Sequence, residues 1–166
     1  MSHKAKVYGT QDYASLEKAA GQSPRKRMNL NIHSDYSDPC QRLFISMQPR
    51  SYVVPHRHNS PAKAETFIVL RGCIGIVFFD DFGKVVDSIS LGPEHESQVC
   101  DIPPGTWHTA ISLDAKSIFM EIKAGPFSPI DPADVAPWAP SNSTDDVELY
   151  LDQLYLHFSK TNQPFA

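Results

Sequence analysis

Between Cys40 and Lys123 the chain is a succession of short runs rich in β-branched and aromatic residues, each closed by turn-forming residues. The runs are 40–48, 51–58, 66–70, 73–80, 84–91, 97–102, 107–113 and 117–123. Pro49-Arg50, Arg71-Gly72, Asp81-Phe82-Gly83, Gly92-Pro93, Pro104-Gly105 and Asp114-Ala115 separate them. Short strands at even spacing cannot each bury a face alone, so they are expected to close on one another as a sandwich or barrel. Asp81-Phe82-Gly83 reads as a three-residue hairpin loop, with Gly83 supplying the positive φ.

Helical periodicity is confined to the two ends. Residues 12–20 (DYASLEKAA) read as a short helix, capped by Asp12 and ended by Gly21. Residues 145–158 read as a second helix, with Asp145 and Glu148 as a capping box. Val147, Tyr150, Leu151, Leu154, Tyr155 and Phe158 form its apolar stripe. Leu149 and Leu156 fall off that stripe, so burial on two sides, and hence a homodimer, is the expectation. Residues 125–140 hold five prolines (Pro126, Pro129, Pro132, Pro137, Pro140), whose fixed φ and missing donors predict an extended strap. Trp138 within it is expected to pack on the wall of the β-domain. The division that follows is an N-terminal arm over 1–22, a barrel over 23–125, and the strap and C-terminal helix over 126–166.

With 166 residues and a hydrophobic fraction of 41%, the chain suits one domain with a real core. A net charge of −4 supplies no electrostatic footprint for nucleic acid. The basic run Arg25-Lys26-Arg27 is too short to change that. Cys40, Cys73 and Cys100 are odd in number and lack a C-x-x-C pair, which argues against a disulfide scaffold or thiolate zinc site. Cys73 lies in an apolar run and reads as an inert buried thiol. The first ten residues are polar, and the longest apolar run, 73–79, is too short to span a bilayer. A cytoplasmic protein without a membrane or nucleic-acid partner is the expectation. The sequon Asn142-Ser143-Thr144 means little without an export signal.

The chemistry concentrates in PHRHNSPAKAETFIVLRG, Pro55 to Gly72. On a strand, side chains two apart share a face, so His56 and His58 present their imidazoles together. Glu65 follows after six residues, and Pro103-Pro104-Gly105-Thr106-Trp107-His108 brings another imidazole just past a Pro-Gly turn. Three nitrogens and one carboxylate oxygen suit a single divalent transition metal such as iron, manganese, nickel or zinc. A cation also offsets the cost of burying Glu65, whose parity with Phe67 and Val69 turns it inward. Tyr52 and Val54 share the parity of His56 and His58 and are expected to line the same interior. His3, His33, His95 and His157 lack such coupling and read as ordinary surface or core histidines.

The pair of motifs, His56-x-His58 with Glu65 and Gly72, and Pro103-x-Gly105-x-x-His108, resembles the signature motifs of the cupin superfamily. SPRKRMNLNIH (Ser23 to His33), DPCQRLF (Asp38 to Phe44), SYVVPHRH (Ser51 to His58), ETFIVLRG (Glu65 to Gly72) and PPGTWH (Pro103 to His108) resemble the WbuC-type cupin-fold metalloproteins. That resemblance implies an all-β, cupin-type double-stranded β-helix or jelly-roll barrel, with helices at its two ends. It also implies a metal on His56, His58, Glu65 and His108, and a setting in polysaccharide or O-antigen biosynthesis. The gap from His58 to Glu65 is longer than the usual cupin spacing, which leaves residues 59–64 to shape the pocket mouth.

Beyond the ligands, Tyr52 is a candidate to hydrogen-bond a small molecule in the barrel, with core packing as its alternative role. Of Gln41 and Arg42, alternation turns one inward; an inward arginine would grip a carboxylate or phosphate, and an outward one would form a surface ion pair. Asp101 and Trp107 flank the turn that carries His108. No catalytic residue is assigned. Three functions fit: a metal-dependent enzyme on a sugar or sugar nucleotide, such as an isomerase or epimerase; a non-haem iron dioxygenase-type oxidoreductase; and a metal-dependent binding module without turnover.

Overall fold

The computed structural model describes residues 5–59, 61–141 and 145–158. Helix α1 (Thr10–Gln22) opens the fold. Eight strands follow: β1 (Arg27–Asn31), β2 (Cys40–Met47), β3 (Glu65–Arg71), β4 (Ile74–Phe79), β5 (Val85–Leu91), β6 (Val99–Ile102), β7 (Trp107–Ser112) and β8 (Ser117–Ala124). A 3-10 turn at Pro132–Asp134 and helix α2 (Asp146–Leu156) follow among the described residues. The strands make two antiparallel sheets, one of order β1-β2-β8-β3-β6 and one of order β5-β4-β7. The all-β, two-sheet jelly-roll expectation holds.

The main core lies where the sheets face one another. Met47, Phe67, Val69, Ile74, Ile76, Leu91, Ile102, Ala110 and Phe119 fill it. The smaller sheet is also covered on its other side, where Val77, Phe79, Trp107 and Ile111 meet Leu151, Leu154 and Phe158 from the C-terminal segment. Strand β4 is therefore buried on both faces, which explains why it reads as an unbroken apolar run instead of an alternating one. On the larger sheet, α1 covers β2 through Tyr13, which meets Phe44 edge-on at 5.5 Å. The strap lies across the edge of this arrangement, with Trp138 4.9 Å from Phe79 and close over Gly83, whose φ is +86°.

Four local expectations are corrected. The run 51–58 is extended but joins no ladder beyond single bridges at His56. Pro55 has no amide to donate, and the Tyr52 carbonyl accepts instead from the Arg27 guanidinium at 2.8 Å. With the strand irregular, the expected parity fails: Tyr52 and Val54 join the cluster on the α2 side of the small sheet. An unforeseen edge strand, β1, pairs Met28 and Leu30 against Ser46 and Phe44. The caps differ as well. Helix α1 starts at Thr10, and Asp12 sits one turn in, accepting from Gly9 N at 2.8 Å, so it holds the helix start without being its cap. Asp145 makes no side-chain cap, because it is already in helical geometry, and Glu148 is drawn instead to Arg50.

Leu149 and Leu156 stay 62% and 65% exposed, so α2 buries one face only within this chain. Cys73 is buried, and burial pushes its thiol up to about 11, consistent with an inert residue. No helix among the described residues is long and apolar enough to cross a membrane. His3 and the sequon at 142–144 lie outside the described residues.

Gly75 sets how closely the C-terminal segment can dock. A Cβ built there would stand 2.5 Å from the Phe158 ring. Gly75→Ala is expected to destabilise the fold by about 1–3 kcal/mol through overpacking, read as a lower midpoint in urea denaturation. An unchanged midpoint would mean that Phe158 does not seat on β4.

Candidate metal centre

His56 and His108 are locked together by reciprocal backbone hydrogen bonds, His56 N to His108 O at 3.0 Å and His108 N to His56 O at 2.9 Å. This one bridge joins the irregular 51–58 run to β7 and brings two imidazoles to 4.7 Å between ring centroids. His58 follows two residues on, 5.1 Å from His56. Glu65 enters from the first position of β3, in the facing sheet, and its Oε2 lies 3.1 Å from His108 Nε2 and 3.5 Å from His58 Nε2. One ligand atom from each of the four residues falls within 4.8 Å of every other.

The tautomers are fixed by the backbone. His56 Nδ1 is 3.0 Å from the Val54 carbonyl and His108 Nδ1 is 2.9 Å from the Thr106 carbonyl. A carbonyl only accepts, so both Nδ1 atoms carry a proton, which leaves both Nε2 atoms as the candidate ligand atoms. Burial, with a further contribution from His108, pulls His56 down to about 4, so the ring is neutral at pH 7. His58 Nε2 is sealed from solvent without a hydrogen-bond partner. Three imidazole nitrogens and a carboxylate oxygen therefore converge on one point. Such a set fits a divalent transition metal, and a polar hole of this kind is costly to leave unmatched.

A buried charge network continues from Glu65. Its Oε1 accepts from Lys123 Nζ at 3.2 Å, and the same ammonium reaches Glu121 Oε1 at 2.6 Å. Burial alone would raise the Glu65 pKa, but contacts with His108 and His58 and the charge of Lys123 outweigh it and hold the carboxyl well below its usual range. Glu121 goes the other way: burial first, then the negative charge of Glu65, pushes it up to about 8. The sequence reading missed this pair. The signal was there, since Glu121 and Lys123 stand in phase with the inward Phe119 on β8.

The strap supplies a second support that the sequence reading did not foresee. Asp134, 3% exposed, accepts from Arg57 Nε at 3.0 Å and from the backbone N of Asn59 at 3.1 Å. Arg57 N donates to the Asp134 carbonyl and Ala136 N to the Pro55 carbonyl, both at 2.9 Å. The His56–His58 segment is thus clamped between β7 and the strap. Arg57 itself stacks over Trp107 at 4.3 Å, and Trp107 Nε1 donates to Asp81 at 2.9 Å.

A cavity of about 280 Å³ adjoins the cluster through His58 and is lined by Lys123 as well. Gln41, Arg57, Pro61 and Lys63 line it on one side and the strap from Phe127 to Asp131 on the other. The long spacing between His58 and Glu65 does reach the pocket wall. Of the candidate ligand contacts, Gln41 is buried in that wall, while Arg42, next along β2, is exposed on the opposite face. Tyr52 is not brought to the cavity, and its hydroxyl donates to the Pro140 carbonyl at 2.7 Å. Asp101 bonds Thr66 at 2.6 Å, away from the ligands. His33 accepts from Arg42 N at 3.0 Å, and His33, His95 and His157 stand outside the cluster.

The two facing antiparallel sheets with this His-x-His, Glu and His arrangement define a cupin fold with a group able to hold a metal ion. Solved structures of oxalate oxidase agree on the fold. Oxalate oxidase in complex with the substrate analogue glycolate superposes at a TM-score of 0.51 with 14% identity, over 66% of this chain and 56% of that one. KdgF from Halomonas sp. gives 0.49 and 15%, over 64% and 84%. A cupin-2 domain containing protein from Shewanella frigidimarina gives 0.45 and 21%, over 59% and 80%. The chain spans little more than half the length of the oxalate oxidase chain it matches. Residues 9–91 match the family described as "Domain of unknown function (DUF6016)", and the protein belongs to that family. No curated protein matches the sequence.

Two measurements check this geometry. Asp134→Asn keeps the shape of the clamp but weakens its charge-assisted bonds, and is expected to lower metal affinity about 10–100-fold in a competition titration with a chelator, at unchanged secondary structure. The second concerns pH. The folded state holds His56 at about 4, against about 6.5 for a free histidine, so it resists a proton that the unfolded chain accepts. The contribution of His56 to the stability of the chelator-treated protein should therefore fall as pH drops from about 6.5 toward 4, against the opposite contribution of Glu121. The difference in urea midpoint between wild type and His56→Gln, taken across the range, isolates it: the variant should gain on wild type as pH falls.

Proposed function

We propose that this protein is a metal-dependent enzyme of the WbuC type, holding one divalent transition metal on His56, His58, Glu65 and His108. Its substrate on this reading is a small oxygen-rich molecule, a sugar or sugar nucleotide, in cytoplasmic polysaccharide or O-antigen assembly. The observation that carries the reading is the shared wall: His58, one of the four cluster residues, also lines a cavity, with Lys123 beside it. A structural site is closed on all sides, whereas a catalytic one keeps an open position beside a space for substrate.

When bound, a divalent ion supplies Lewis acidity toward a carbonyl or hydroxyl oxygen. The chain's own residues do the rest. His56 and His108 are oriented by the Val54 and Thr106 carbonyls, which hold each Nδ1 and leave Nε2 for the metal. Glu65 is kept anionic at the centre. Lys123, on the cavity wall, is held between Glu65 and Glu121 and keeps the Glu65 charge in place beside the cluster. The same donor set suits ferrous iron and an oxidative reaction, so metal identity separates isomerase-type from dioxygenase-type chemistry.

Elemental analysis of protein purified without an affinity tag is the deciding experiment. A transition metal at about one per chain is expected, and near absence in the His56→Ala, His108→Ala double variant. A wild-type protein that remains metal-free after incubation with iron, manganese, nickel and zinc would remove the basis of the proposal.

A further inference from the structure

The cavity beside the cluster has an asymmetric polar lining that specifies more than its size. Three cations face it, and two are spent. Arg57 pairs with Asp134 and Asp81, and Lys123 with Glu65 and Glu121. Lys63 is different. Its Nζ donates to the Pro126 carbonyl at 2.6 Å and to Ser128 Oγ at 3.4 Å, both neutral, and no carboxylate lies in ion-pair range among the described residues. An ammonium has three donors, so one remains for a ligand. Asp131, an acid on the strap, accepts from its own Ala133 N at 2.9 Å.

Gln41 contributes the opposite polarity. It is 2% exposed, and its Nε2 donates to the Tyr36 and Asp38 carbonyls at 3.2 and 2.9 Å. Two carbonyl partners fix the amide orientation, because the flipped group would set oxygen against oxygen. The amide oxygen receives no donor among the described residues, and it is not one of the sealed unsatisfied atoms, so it meets the cavity. An acceptor held in this way selects a hydroxyl. The cavity, about 280 Å³, has room for a small sugar-sized molecule.

Resting on the metal-centre reading above, we infer that the cavity binds a small polyhydroxylated carboxylate, with its anionic end on Lys63 and a hydroxyl donating to Gln41 Oε1. The ligand class is then a sugar acid or hydroxy acid, in which the charge comes from the molecule itself and not from an attached diphosphate.

The test is calorimetric titration of the metal-loaded full chain with D-gluconate, with its neutral counterpart sorbitol, and with propionate, which lacks hydroxyls. Gluconate is expected to bind at least tenfold tighter than either. Lys63→Gln should reduce gluconate to the sorbitol level, and Lys63→Arg should restore most of the affinity. Gln41→Leu should weaken gluconate at least threefold and leave propionate unchanged; should that variant not fold, the Lys63 pair still decides. Equal binding of gluconate and sorbitol, or a Lys63→Gln protein that binds gluconate as well as wild type, overturns the inference. Metal content measured on the same samples keeps the two readings apart. A full metal load with no gluconate preference sinks only this inference. A chain that takes no metal sinks the earlier reading, and the Lys63 dependence is then read on the metal-free protein.

Discussion

The reciprocal backbone pairing of His56 with His108 is the constraint on which the rest of the site depends. Neither residue is fixed by a long ladder on the 51–58 side, where Pro55 interrupts the donors. Two hydrogen bonds to β7, and the strap on the opposite edge, hold a segment that would otherwise be loop. Because the two histidines pair across that bridge, their side chains emerge on the same side, and Glu65 meets them from the facing sheet. A slip of one residue would turn the imidazoles outward and leave Glu65 buried without a partner.

Electrostatics then propagate outward from Glu65. Its carboxylate is stabilised by the imidazoles on one oxygen and by Lys123 on the other, and Lys123 in turn borders Glu121. Three ionisable side chains in a row inside a β-sandwich are tolerable only because each contacts an opposite charge. Glu65 and Glu121 differ in direction for one reason: a single ammonium cannot hold two buried carboxylates equally, and the one also touching imidazoles keeps the charge. The site is thus an end point of a charged row along β8, open to the cavity at Lys123.

The strap explains why a chain of this kind carries so many prolines late in its sequence. Fixed φ values limit the unfolded freedom of the segment, and its few available donors and acceptors are used at specific points. Asp134, Val135 and Ala136 meet the His56–His58 segment, while Phe127 to Asp131 wall the cavity. Trp138 anchors the far end over Gly83 and against Phe79. The strap therefore acts as a third edge for the ligand-bearing segment and as one side of the pocket.

The sequence by itself determined the strand-and-turn order, the two terminal helices, the hairpin at Gly83 and the four residues of the cluster. Each of those rests on local periodicity or on spacing within a few residues of a turn, and these survive any packing that buries the apolar runs. It misjudged the 51–58 run, because alternation of apolar residues says nothing about whether a partner strand lies alongside, and so it sent Tyr52 to the wrong side. It also could not choose between Gln41 and Arg42, since alternation fixes their opposition but not which face is inside. Tertiary structure alone decided those matters, and it alone joined Asp134 to Asn59 and Lys123 to Glu65. Contacts between residues so distant in the chain are set by how the sheets and strap pack, which leaves no periodic trace in the sequence.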